Sequence, residues 1–264
     1  LSSRRSAISP SRCSAAGPWQ RRRRCSEGSA LARILTVGET GSTNADLLAL
    51  ASEGEPEGTW LRAEKQTAGR GRQGRAWSSP AGNLFASTLV RARPGDPSPA
   101  SLALVCAVAL AETIATLGCP AVTIKWPNDL LLDGAKLSGI LLERQGDAIV
   151  AGFGVNLASH PSIEGRRTAS LAGRLWIHSA EELYQHLTTA FARWLHRWRT
   201  EGLAPVVAQW EAHAHPPGTP LNANLADGRT ITGAYDGLAP DGALRLRLAD
   251  GRVHVIHAGD VFLV

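Results

Sequence analysis

Residues 69–77 read Gly-Arg-Gly-Arg-Gln-Gly-Arg-Ala-Trp and fall between two β-like runs, residues 59–66 and 83–90. Three closely spaced glycines permit positive φ and close backbone approach, and three arginines supply planar donor forks that match phosphate oxygens. The stretch therefore reads as a strand-to-strand loop built as an anion cradle, with Trp77 as an apolar surface for a flat ring. Gly-Arg alternation on its own suits an RNA-binding segment equally well, so the flanking sequence decides.

Upstream, residues 33–37 form a short strand candidate. Ser42, Thr43 and Asn44 then precede an Ala/Leu run. Their side-chain oxygens can accept first-turn N–H groups, which predicts a helix over 44–52 closed by Gly54. Downstream, a proline-rich segment at 94–99 leads into residues 102–117, apolar on nearly every face and so a buried helix. Strand-like runs follow at 122–126, 137–143 and 148–156, the first two joined through 127–134. Ser179 and Glu182 form a capping box that opens a long helix, with Leu183, Leu187, Phe191, Trp194, Leu195 and Trp198 on one face and Gly202 at its end. The body up to His215 is thus α plus β. From Pro216 short runs alternate with Asp227-Gly228, Asp241-Gly242 and Asp250-Gly251, read as type I′ hairpin turns in a small β-barrel.

The 264 residues are 44% hydrophobic and 19% charged, which excludes disordered, collagenous and disulfide-dense classes and allows one sizeable domain plus a small second one. The longest apolar run, residues 102–111, is shorter than the roughly 18 residues of a membrane span. The formal charge of +5 is concentrated: residues 1–30 carry seven arginines and one acid, leaving 21 basic and 22 acidic side chains elsewhere. A near-neutral body lacks the basic excess of a nucleic-acid surface. Residues 1–32 are Ser/Arg-rich without period and are expected to be disordered. Their composition fits a transit peptide, or translation from upstream of the true start, which Leu1 and the absence of methionine favour. Cys13, Cys25, Cys106 and Cys119 form no C-x-x-C, so reduced thiols and a cytoplasmic location are expected.

Residues 125–143 read KWPNDLLLDGAKLSGILLE, and 152–156 read GFGVN. Against 25 arginines there are three lysines, and Lys125 and Lys136 lie within twelve residues of each other. A lysine kept in so arginine-rich a chain suggests a compact point charge in a tight site. The Gly-x-Gly at 152–154 lacks the third glycine and helix start of a dinucleotide fingerprint.

In this order, Ser42-Thr43-Asn44, Gln66 with residues 69–77, residues 125–143 and residues 152–156 resemble the biotin protein ligase family, in motif detail over 34–160 and in general organisation to Val264. The resemblance implies an α+β fold. A mixed β-sheet packed with helices, of the class II synthetase-like biotin/lipoate ligase type, would span residues 33–216, and an SH3-like β-barrel residues 217–264. It implies that biotin and Mg-ATP give biotinyl-5′-AMP and pyrophosphate, and that biotin then passes to a lysine of a biotin carboxyl carrier protein. A carboxylate meeting an α-phosphate joins two anions, so the site must supply positive charge.

By the same resemblance, Lys136, Lys125, Arg72 and Asp129 are catalytic. Biotin falls to Ser42, Thr43, Asn44, Gln66, Gly69, Arg70, Lys136 and Gly139. The hydroxyls and amides match its ureido head, and Gly139 offers a backbone N–H. The nucleotide falls to Arg72, Arg75, Trp77, Lys125, Asn128 and Asn156. Asn128 and Asp129 orient the lysines or hold Mg²⁺. No protein metal site is expected, since His213 and His215 lack a zinc spacing. The bifunctional members' winged-helix domain has no counterpart here, so a monofunctional ligase is expected, without nucleic-acid or membrane partners and with a homodimer left open. A lipoate–protein ligase of the same fold family is the nearest alternative, and the loop at 69–77 argues for biotin.

Overall fold

The computed structural model describes residues 20–22, 33–119, 122–172, 178–225 and 227–264. Its main sheet contains β1 (Gln20–Arg22), β2 (Ile34–Thr40), β3 (Trp60–Gln66), β4 (Leu84–Arg91), β5 (Thr123–Lys125), β6 (Asp129–Leu132), β7 (Ala135–Gln145) and β8 (Ala148–Val155). The spatial order is β1-β2-β3-β4-β8-β7-β6-β5. Strands β2 and β3 are parallel and joined by α1 (Thr43–Ser52), while the other neighbours are antiparallel. Of the leader, only residues 20–22 are described, and they form a strand on β2 where no period was read. The expectation of disorder for the rest of it lies outside the described residues.

Residues 127–134 do not simply connect two strands, as the sequence suggested. The apolar Leu130, Leu131 and Leu132 with Asp129 make β6, which pairs with both β5 and β7. The turn from β6 into β7 uses Asp133 and Gly134, both at positive φ. Four residues are too few for alternation to announce a strand.

Helix α2 (Leu102–Thr116) forms the centre of the core, and residues 105–111 are fully buried. The stretch Pro99–Thr116 is long and apolar enough to cross a membrane by length and composition, but it packs under α3 (Ala180–Thr200) and against the sheet. Replacing a buried leucine such as Leu110 by alanine would cost about 2–5 kcal/mol. The capping box of α3 is present: Ser179 Oγ accepts from Glu182 N, and the Glu182 carboxylate accepts from Ser179 N. Its buried face carries Leu183, Leu187, Phe191, Trp194 and Trp198, with Leu195 half-buried. A further helix, α4 (Ala204–Ala212), was not anticipated; a proline inside a helix would break it, but Pro205 falls in the first turn. Proline in the first turn, where its missing N–H is not needed, is instead compatible with a helix start.

The remaining strands, β9 (Pro220–Asn224), β10 (Thr230–Leu238), β11 (Leu244–Arg247), β12 (Val253–Ile256) and β13 (Asp260–Leu263), form an antiparallel sheet ordered β12-β11-β10-β9-β13. The Asp-Gly hairpins are where expected, but they are not type I′. Gly242 N donates to Ala239 O and Ala239 N to Ala243 O, with only the glycine at positive φ. The Gly251 turn repeats this pattern, so these are three-residue loops with a glycine bulge. The small sheet shares its core with the large one, since Leu221, Leu238, Leu244 and Val261 belong to the same buried cluster as Leu104 and Trp126. Trp126 Nε1 also donates to Gly242 O at 3.1 Å.

Candidate active site

Strands β6, β7 and β8, the start of α1, the loop between β3 and β4, and β13 enclose a cleft of about 690 Å³. Every site residue nominated from the sequence lines this cleft, although the nominations were spread from residue 42 to residue 156.

One end is neutral. Ser42 caps α1, its Oγ accepting from Ala45 N. Gln66 Oε1 accepts from Thr43 N at 2.9 Å and from Thr43 Oγ1 at 3.1 Å, and Gln66 Nε2 donates to Ser79 Oγ. Buried Ser87, which no sequence signal marked, lies 2.7 Å from Thr43 Oγ1 and 2.6 Å from Asn44 Oδ1. Asn44 is also tied to Leu141 O and Glu143, and its amide fills the space that a side chain on Gly152 would need. The polar atoms of Asn44, like those of Thr43 and Gln66, are thus engaged within the wall of the pocket. A buried end composed of hydroxyls and amides favours a neutral polar guest that can exchange hydrogen bonds.

The floor is glycine. Gly139 of β7 and Gly154 of β8 are cross-strand partners, and the Trp77 indole lies over both. A Cβ on Gly154 would sit 2.6 Å from the ring, and one on Gly139 would sit 3.0 Å from it. The Cβ face of Gly139 is covered by Trp77, so its lack of a side chain makes room for the ring. Trp77 Nε1 is buried without a hydrogen-bond partner, and Lys136 Nζ lies 5.5 Å from the ring centroid. Gly69 is held equally closely, by Ser79 and Trp77 O.

The other end is cationic. Asp129 lies between two lysines, with Oδ1 2.6 Å from Lys136 Nζ and Oδ2 3.1 Å from Lys125 Nζ. Burial opposes the charge on Asp129, yet the two ammonium groups hold its carboxyl below the usual carboxylate range. For Lys136, burial outweighs the pull of Asp129 and, with repulsion from Lys125 and Arg75, lowers its affinity for the proton. Asn128 Nδ2 donates to Ile140 O, and Asn128 Oδ1 accepts from Arg72. Both oxygens of Asp129 are thus engaged by lysines. Asn156 Nδ2 donates to Ala169 O, and Asn156 Oδ1 is buried without a partner.

Two contributions to the cleft escaped the sequence reading. The first is β13: Asp260 pairs with Arg75 at 2.6 Å and with Arg72 at 3.5 Å, Gly259 O accepts from Arg72, and Val261 O accepts from Lys125. The second is the segment after β8, where Arg166 and Arg167 face the cleft and the Arg166 guanidinium lies 6.0 Å from the Phe262 ring centroid. Adjacent arginines following Gly165 were the only available hint. Arg70, by contrast, is half exposed and 3.8 Å from Glu143. Among the described residues no group of three His, Cys, Asp or Glu side chains could hold a metal ion.

Comparison with known proteins extends these observations. Residues 39–158 match the Biotin/lipoate A/B protein ligase family, and residues 218–264 match the biotin protein ligase C terminal domain. The chain is 40% identical over 240 residues to a biotin–[acetyl-CoA-carboxylase] ligase of Paracoccus denitrificans, covering 86% of this chain and 98% of that protein. A biotin protein ligase from Aquifex aeolicus, solved in complex with biotin and ATP, shares the fold with a TM-score of 0.77 at 24% identity, over 88% of this chain and 99% of that one. A biotin protein ligase from Leishmania major in complex with biotinyl-5-AMP gives 0.60 at 25% identity, over 85% and 98%.

Proposed function

The chain belongs to the biotin protein ligase family, and from that premise we propose how its cleft carries out ATP-dependent biotin ligation. The carrying observation is the polarity of the cleft, neutral around Ser42, Thr43 and Gln66 and cationic around Lys136, Lys125, Arg72 and Arg75. Biotin has the matching shape, a neutral ureido head and an anionic carboxylate tail. Its head lies against the Thr43–Gln66 pair, and its carboxylate reaches Lys136.

ATP enters as its Mg²⁺ complex, the ion arriving with the phosphates as part of the substrate. A biotin carboxylate oxygen attacks the α-phosphorus, the bond to the bridging oxygen breaks, and pyrophosphate leaves with the electron pair. Lys136 and Lys125 offset charge where carboxylate and phosphate meet, and Arg72 and Arg75 do so along the phosphates. Neither lysine gives up a proton in this step. Asp129 keeps both ammonium groups aimed and charged. Trp77 offers its ring and Asn156 its unpaired Oδ1 to the nucleoside. In the second step the neutral amine of an acceptor lysine attacks the acyl carbon, AMP leaves, and the new amide loses a proton to solvent. The acceptor is a biotin carboxyl carrier domain, and the chain is taken to act in the cytoplasm.

Lipoate is the weaker reading because the match at residues 218–264 is to a biotin protein ligase domain specifically. Biotin-dependent exchange of labelled pyrophosphate into ATP tests the first step. Exchange supported by lipoate and not by biotin would reject the assignment.

A further inference from the structure

Asn83 lies at the mouth of β4, is 1% exposed and does not line the cleft. Its Oδ1 accepts three backbone N–H groups in succession, from Leu157 at 2.9 Å, Ala158 at 2.9 Å and Ser159 at 3.2 Å, while its Nδ2 donates to Ser159 O at 2.9 Å. The adjoining Gly82, at φ +92, runs so close beneath that a Cβ there would sit 2.9 Å from Ala158 Cβ. One side chain thus fixes the point at which the chain leaves β8 for the segment that bears Arg166 and Arg167.

That segment returns along the key lysine. Lys136 N donates to Arg167 O and Ala169 N donates to Lys136 O, each at 2.9 Å. It then closes on its own start, with Leu171 N on Asn156 O and Ala172 N on Leu157 O. Between the two stems, Thr168 Oγ1 donates to Pro161 O and lies 2.9 Å from His160 Nδ1. The outgoing stem is held by Asn83 and the returning stem by the Lys136 backbone.

We propose that Asn83 is a positioning residue for adenylation: it anchors the 157–169 segment so that the segment's arginines face the nucleotide end of the cleft and its return stem braces Lys136. Asn83 touches no substrate and acts through this segment. Ser42, Thr43 and Gln66 are held by other partners, so the neutral end is independent of it. The inference rests on the ligase reading given above.

The test compares Asn83→Ala and Asn83→Asp with the wild type in biotin-dependent ATP–pyrophosphate exchange, biotin binding by calorimetry, and release of free biotinyl-5′-AMP. Asn83→Ala is expected to raise KM for ATP roughly tenfold and to leak adenylate, with the biotin Kd within about twofold of wild type. Asn83→Asp, which keeps an acceptor for the three N–H groups, is expected to restore part of the loss. Unchanged KM for ATP and unchanged retention in Asn83→Ala would overturn the proposal, as would equal losses toward ATP and biotin. Hydrogen exchange of the ligand-free proteins provides a readout that does not depend on the reaction. Faster exchange confined to 157–172 in Asn83→Ala supports the anchor, and unchanged or global exchange rejects it. If Asn83→Ala does not fold, the same measurements on Asn83→Asp decide, since it keeps the acceptor for the three N–H groups and sets an oxygen against Ser159 O where Nδ2 had donated, which weakens the anchor. A wild type without biotin-dependent exchange would sink the ligase reading and leave the hydrogen-exchange result to judge the anchor.

Discussion

Asp260 Oδ2 lies 2.6 Å from Arg75 Nη2, joining the last strand of the C-terminal sheet to a loop 185 residues earlier in the chain. The same carboxylate lies 3.5 Å from Arg72. Arg72 and Arg75 of the loop are therefore held by the C-terminal sheet, and that sheet is a wall of the cleft.

Removing the carboxylate should loosen both guanidinium groups. Immobilising a long side chain on binding costs about 0.5–1.5 kcal/mol, so two arginines that must be ordered by the nucleotide raise KM for ATP roughly tenfold in Asp260→Ala. The pair is partly exposed, so the melting temperature should hardly move. Pyrophosphate-exchange kinetics with a thermal melt check both, and a large melting shift with unchanged KM would assign Asp260 to structure alone.

Lys136→Ala should reduce adenylation by about two orders of magnitude or more while the protein stays folded, because Asp129 keeps Lys125 as a partner. Lys136→Arg should recover little. A planar fork cannot replace a compact charge placed 2.6 Å from Asp129 and close over Trp77. Single-turnover formation of biotinyl-5′-AMP measures the step directly.

The pH dependence follows from the same three residues. Burial depresses Lys136 below the ordinary lysine value of 10.5. The alkaline limb of kcat/KM for adenylation should therefore fall at a pH below 10.5. Asp129 opposes this shift, so Asp129→Asn should move the limb to still lower pH. For stability the sign is opposite in sense: the folded Asp129 carboxyl titrates below its ordinary value of 3.8, so its contribution is present above that pH and is lost as pH falls through the depressed value. Acid titration of wild type against Asp129→Asn checks this limb.

Gly154→Ala should damage the site more than Gly139→Ala. The new methyl lies 2.6 Å from the Trp77 indole in the first case and 3.0 Å in the second, so the ring must be lifted further. Both variants should still melt cooperatively. Equal activity in the two would show that Trp77 moves freely.

A chain ended at residue 216 should lose its cooperative melting transition. Such a cut strips Leu221, Leu238, Leu244 and Val261 from the common core and the acceptor from Trp126 Nε1. Differential scanning calorimetry of the full chain should give a single transition, and two transitions would indicate separable units.

Much of this was legible in the sequence because the governing signals are local. The α3 capping box, the Ser42 cap and the apolar α2 each depend on residues a few positions apart, and each element appears where it was read. The fold class was legible for a different reason, since four motifs in one order specify a family better than periodicity specifies a topology. What escaped depends on distance along the chain. Ser87 looks like any small strand residue until Thr43 and Asn44 are folded onto it. Asp260 sits in no motif, and its role exists only because β13 closes against the arginine loop. The Asp-Gly turns were located correctly and typed incorrectly, because the dipeptide fits both two-residue and three-residue hairpin loops.

The most direct test of the central claim is the intact mass of an apo carrier domain after incubation with this protein, Mg-ATP and either biotin or lipoate. One biotinyl group on one lysine, dependent on ATP and absent with lipoate, is the predicted result. A lipoyl adduct in place of the biotinyl one would contradict the account.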